Sequence, residues 1–115
     1  MQQISRQMQI APEELDELLA VTGNLASLKK ELELAVLRDT TRILAVIFAG
    51  ATQLNVSDIH LEPEEKKVKL RFRIDGLLQD VFWFENNIYK SMLSRIKLLS
   101  EIKLNIKSRA QDGRF

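Results

Sequence analysis

Hydrophobic residues recur at two different spacings along this chain, and the change from one to the other falls near residue 57. Before it the spacing is helical. Residues 12–20 (PEELDELLA) open on proline with acids in the first turn, both of which suit a helix N-terminus. Thr22, Gly23 and Asn24 break that helix, after which Leu25, Leu28, Leu32 and Val36 recur at helical spacing with Lys and Glu between them, predicting a second, amphipathic helix. Asp39, Thr40 and Thr41 can each cap a third helix. Its buried face is marked by Ile43, Ile47, Ala51 and Leu54, and Asn55 is its stop. Because Ala45, Val46, Phe48 and Ala49 make this helix apolar on most sides, it is expected inside the core.

From Ser57 the period is two. Ile59 and Leu61 alternate with Asp58, His60 and Glu62 until Pro63 ends a strand, and residues 64–67 form a polar turn. Val68, Leu70, Phe72 and Ile74 then face one way while Lys67, Lys69, Arg71 and Arg73 face the other. Asp75-Gly76 is the preferred two-residue hairpin turn. A regular type I′ register pairs Ile74 with Leu77, Phe72 with Gln79, Leu70 with Val81 and Val68 with Trp83 on the core face. On the other face Arg73 meets Leu78, Arg71 meets Asp80 and Lys69 meets Phe82, so basic and apolar residues share a surface. Asn86 or Asn87 can cap a last helix carrying Ile88, Met92, Ile96, Leu99 and Ile102 at spacings of three and four. Its other side carries Ser94, Arg95, Lys97, Glu101 and Lys103. A polar stretch, 107–114, follows with a second Asp-Gly pair at Asp112 and Gly113. The pattern predicts an α+β fold, an antiparallel sheet packed with helices and preceded by an N-terminal helical segment.

A length of 115 residues suits one hydrophobic core. The absence of cysteine excludes disulfides and thiolate metal sites and points to a reducing compartment, the cytoplasm. The longest apolar run, 43–50, is far below the roughly 20 residues that cross a bilayer, so membrane contact is expected to be peripheral. Charge is unevenly distributed. Residues 1–65 hold 11 acidic and 5 basic residues, and residues 66–115 hold 12 basic and 5 acidic, so a net charge of +1 conceals parts of −6 and +7. The C-terminal part is expected to prefer an anionic partner.

The four glycines are isolated at 23, 50, 76 and 113 and none precedes Lys-Ser or Lys-Thr, so no phosphate loop is present and the chain alone is not expected to hydrolyse nucleotide. The single histidine, His60, cannot build a histidine-rich metal site, and Asp58, His60 and Glu62 on one strand face lack an obvious fourth ligand. His60 reads foremost as an imidazole hydrogen-bonded in or beside the sheet, with a sensor or acid/base as the functional alternative. Arg71 has an ion pair with Asp80 as its plain reading, worth a few tenths of a kcal/mol if exposed. The functional alternative is that Arg71, Arg73 and Arg95 meet phosphate oxygens, for which the planar guanidinium fork is suited. A basic face with Lys69, Phe82 and Phe84 also admits single-stranded nucleic acid bound by stacking, the less favoured reading because the whole chain is almost neutral.

Residues 57–63 (SDIHLEP), 71–76 (RFRIDG) and 94–97 (SRIK), leading to 111–115 (QDGRF), together resemble the second N-terminal domain of the secretion and pilus-assembly ATPases, the type II secretion system E protein family. The likeness covers about residues 39–115, in the family's order and near its spacing. It implies a PAS-like α+β domain over 39–115, a helical linker over 1–38, and a chain that ends at the junction to a RecA-like ATPase domain.

The resemblance further implies a cytoplasmic homohexamer, peripheral at the inner membrane, in which this domain regulates assembly and packs on a neighbouring subunit. Arg71, Arg73 and Arg95, with Arg114 a weaker fourth, would approach that neighbour's nucleotide, and Asp75 and Gly76 belong to the turn. ATP and Mg²⁺ would serve the full-length protein, with none bound by this part alone. The platform protein of a secretion or pilus machine is the implied docking partner, and nucleic acid is not an expected one. A third reading is a scaffold that only docks such a platform protein, with the acidic helices between Glu13 and Glu33 as the contact.

Overall fold

The computed structural model describes residues 10–96 and a short strand at 104–106. Three helices come first: α1 (Pro12–Val21), α2 (Leu25–Ala35) and α3 (Thr40–Gln53). Each starts where the local chemistry directs. Pro12 sits in the first turn of α1, the Asn24 side chain accepts from Ser27 N at 2.8 Å to open α2, and Asp39 accepts from Arg42 N at 2.8 Å to open α3. Asn55 ends α3 in the left-handed region, φ 54°. The amides of Val56 and Asn55 bond back to the carbonyls of Ala51 and Thr52, which satisfies two carbonyls of the last turn.

As its composition predicts, α3 is the centre of the molecule, with every residue from Ile43 to Ala51 buried. Small residues let its neighbours approach closely. An added Cβ at Gly50 would fall 2.7 Å from Leu28 Cδ1, so any side chain there would have to displace Leu28. α1 is tied to α3 by the ion pair between Glu14 and Arg42 and by Gln53 Nε2 donating to Leu19 O. Ile10, Leu15, Leu18, Leu28, Leu32 and Ala35 belong to the same buried cluster as the sheet, so the first two helices complete the core.

The sheet is built from β1 (Asp58–Pro63), β2 (Lys67–Ile74), β3 (Leu77–Glu85) and, after helix α4 (Asn86–Ile96), β4 (Leu104–Ile106). Strand order is β3-β2-β1-β4, with the first three antiparallel as expected. The β2–β3 turn has positive φ at Asp75 (51°) and Gly76 (82°), the backbone that an Asp-Gly turn supplies. Ile59, Leu61, Val68, Leu70, Phe72 and Phe84 line the core face, where Met92 and Ile96 of α4 join them.

Two features depart from the sequence reading. β4 pairs in parallel with β1, Ile59 against Leu104 and Leu61 against Ile106. Three residues carry too little periodicity to reveal a strand whose partner lies some 45 positions earlier. The regular hairpin register also fails beyond Arg71–Asp80. A bulge leaves Val81 unpaired, so Leu70 faces Phe82, Lys69 faces Trp83 and Val68 faces Phe84. The physical gain is at the core. The bulge buries Val81 and Phe84 together and turns out Trp83, whose indole N–H would otherwise need a buried partner. Leu99 and Ile102 lie outside the described residues.

Candidate functional site

The outer face of the sheet gathers the charged residues of three strands. Strand alternation puts Asp58, His60 and Glu62 of β1 on the same side as Lys69, Arg71 and Arg73 of β2, because Asp58 lies opposite Arg73, His60 opposite Arg71 and Glu62 opposite Lys69. β3 adds Asp80 opposite Arg71 and Trp83 opposite Lys69.

Lys69, Arg71 and Arg73 of β2 each stand beside carboxylates. Arg73 donates Nε–H to Asp58 Oδ2 and Nη1–H to the Gly76 carbonyl, both at 3.3 Å. Arg71 Nε stands 3.0 Å from Asp80 Oδ1, and Nη1 is 3.7 Å from Glu62 Oε1. The Nε–H is buried and does not point along the line to Asp80, so that contact is an ion pair without a hydrogen bond. Lys69 Nζ lies 3.8 Å from Asp80, 3.9 Å from Glu64 and 4.9 Å from the centre of the Trp83 ring. His60 sits between the acids of its own strand, with Nε2 2.7 Å from Asp58 Oδ1 and Nδ1 3.9 Å from Glu62 Oε2.

Among the described residues, the charge segregation seen along the chain does not survive on this face. Lys69, Arg71 and Arg73 stand among the carboxylates of Asp58, Glu62, Glu64 and Asp80, so the described part of the face is a mixed-charge ladder and no positive patch. The expected Arg71–Asp80 contact is present, and His60 is hydrogen-bonded within the sheet face. Asp58 and Glu62 as arginine partners were missed. The alternation that put both acids on one face and the short polar turn at 64–66 were signals enough, had the β1–β2 pair been read as a hairpin.

The predicted arginines divide between elements. Arg71 and Arg73 share the sheet face, with side chains 28% and 35% exposed. Arg95 stands in the last turn of α4, the helix that places Met92 and Ile96 in the core. Arg114 lies outside the described residues, as do the 111–115 segment and Lys97 of the 94–97 segment. The expected basic-aromatic platform of Phe82 and Phe84 is corrected by the bulge. Phe84 is 1% exposed, Phe82 is packed against the core with its ring 5.0 Å from that of Phe84, and Trp83 alone of the three is turned out. Stacking of successive bases loses its support. Among the described residues, no helix is long and apolar enough to cross a membrane.

The fold and this face define a small α+β domain with Arg71 and Arg73 side by side on one face of its sheet. The family model described as Type II/IV secretion system protein matches residues 34–115, and the chain belongs to that family. It is similar to the type IV pilus assembly ATPase TfpB of Acinetobacter baylyi, 42% identical over 69 residues, which is 60% of this chain and 12% of that protein. The protein transport protein HofB homolog of Haemophilus influenzae is 42% identical over 74 residues, 64% of this chain and 16% of the relative. Type II secretion system protein E of Pseudomonas aeruginosa is 38% identical over 74 residues, 64% of this chain and 15% of the relative. The chain thus spans only 12 to 16% of the length of these relatives.

Proposed function

We propose that residues 39–115 are a regulatory and oligomerisation domain of a hexameric ATPase that powers type II secretion or type IV pilus assembly, with residues 1–38 as the helical segment leading into it. In this reading the protein works in the cytoplasm, held at the inner membrane through a platform protein, and ATP with Mg²⁺ is hydrolysed by a domain carrying its own phosphate loop. This domain supplies arginines toward a neighbouring subunit's nucleotide, where a guanidinium in trans would offset charge developing on the transferred phosphoryl group.

The observation that carries the reading is the position of Arg71 and Arg73 within the family-matched segment, side by side on one sheet face and each part exposed. Arg73 can meet a phosphate without giving up its partners. A guanidinium has five N–H donors, and Arg73 uses two of them on Asp58 and Gly76, so others remain to donate to phosphate oxygens while the anchor is kept. Arg71 is the poorer candidate because Asp80 and Glu62 flank it.

The test is the steady-state ATPase rate of the full-length protein. Arg73→Ala is expected to lower turnover about tenfold or more, Arg71→Ala and Arg95→Ala by less, and Arg114→Ala least, since a trans arginine is worth up to several orders of magnitude. Normal turnover in all four variants, with the hexamer intact, would overturn the proposal.

A further inference from the structure

We infer that Asp58 is the positioning residue of the arginine face: its buried carboxylate fixes the direction of Arg73, with His60 closing its other side. The functional half of this inference rests on the reading of Arg73 given above; the structural half does not.

Asp58 is 8% exposed, and a carboxylate so far from water must have charged or hydrogen-bonding partners. It divides its two oxygens between them. Oδ1 takes the His60 Nε2 contact at 2.7 Å and Oδ2 accepts from Arg73 Nε–H at 3.3 Å. Direct pairing of positions 58 and 73 across β1 and β2 keeps the two backbones at a fixed separation. Because Arg73 also bonds through Nη1 to the Gly76 carbonyl, its guanidinium is held at two nitrogens, one by the strand and one by the turn. A planar group held at two points cannot rotate freely, which lowers the ordering cost of any further contact it makes. Arg71 has no comparable anchor: Asp80 is half exposed at 53%, and Glu62 is 3.7 Å away.

Stability alone is a weak reason for such an arrangement, because replacing a buried ion pair with apolar residues is often neutral or stabilising. Holding one arginine in one direction is a reason that an apolar substitute could not meet.

The experiment follows hydrogen exchange of the arginine Nε–H groups by NMR in the 115-residue chain. Asp58→Asn keeps the shape of the side chain and an oxygen for His60. It should speed exchange of Arg73 Nε–H by about tenfold, while Arg71 Nε–H is unmoved. Exchange of Arg73 unchanged in Asp58→Asn, or equal loss of protection at both arginines, would overturn the assignment. Should Asp58→Asn fail to fold, Arg73→Gln reads the same contact from its partner. The Asp58 carboxyl ¹³C resonance should then shift while that of Glu62 stays, and an unmoved Asp58 resonance counts against the assignment. In the full-length protein, Asp58→Asn should lower ATPase turnover by the same factor as Arg73→Ala, with the double variant no worse than either. If Arg73→Ala leaves turnover unchanged while the exchange result holds, the trans-arginine reading falls and the positioning role of Asp58 stands.

Discussion

Lys69 and Trp83 face each other across β2 and β3, with the ammonium 4.9 Å from the centre of the indole ring. The pair stands at the rim of the charged face, where Trp83 is 43% exposed. A cation over an indole at an exposed site is worth about 0.5–1 kcal/mol. A double-mutant cycle of Lys69→Ala and Trp83→Leu in urea unfolding should return a coupling of about that size, because the two groups share one contact. Zero coupling would show the ammonium to be engaged by Asp80 and Glu64 alone. Trp83 is the only tryptophan in the chain, so its emission also reports Lys69→Ala directly.

Gly50 and Leu28 set the distance between α2 and α3. Gly50→Ala gains about 1 kcal/mol of helix propensity but drives a methyl into Leu28, which is fully buried; overpacking of this kind costs roughly 1–3 kcal/mol. A net loss of stability is expected. Leu28→Ala should cost about 2–5 kcal/mol by itself, and adding Gly50→Ala to it should recover part of that loss. Additive losses in thermal unfolding would mean that the two residues do not press on each other.

The hairpin turn should be sensitive to side chain at one position and tolerant at the other. Gly76→Ala places a Cβ at φ 82° and should lower stability by about 1 kcal/mol, while Asp75→Asn should be near neutral because Asn adopts the left-handed region readily. Equal effects on the unfolding midpoint would contradict the turn geometry.

Tyr89, the only tyrosine, has its phenol raised above the usual 10.0 by burial. The neutral phenol is favoured in the folded chain. Its contribution to stability is thus fully present below the unfolded value of 10.0 and is lost as pH rises through the higher folded value. Absorbance of the phenolate should rise with a midpoint above 10.0, and Tyr89→Phe should flatten the loss of stability at alkaline pH. A midpoint at or below that of free tyrosine would refute the burial.

The elements themselves were legible in the residues. Helix starts at Pro12, Asn24 and Asp39, the stop at Asn55 and the Asp75-Gly76 turn are each decided by a side chain or a backbone preference within four residues of where it acts. The family motifs likewise lie in short segments, and period-two alternation correctly separated the core face of β2 from its charged face. What tertiary structure alone decided is what those faces meet. The bulge at Val81 answers a packing question, which of Trp83 and Phe84 fits beneath the helices, and no local signal contains the shape of that space. β4 exists because β1 offers an open edge, which three residues cannot announce. The arginine face, read along the chain as a basic hairpin, is neutralised by acids from a strand that the charge division placed in the other half of the molecule. Local chemistry acts over one turn of chain, whereas packing volume and cross-strand charge depend on partners brought together only by folding.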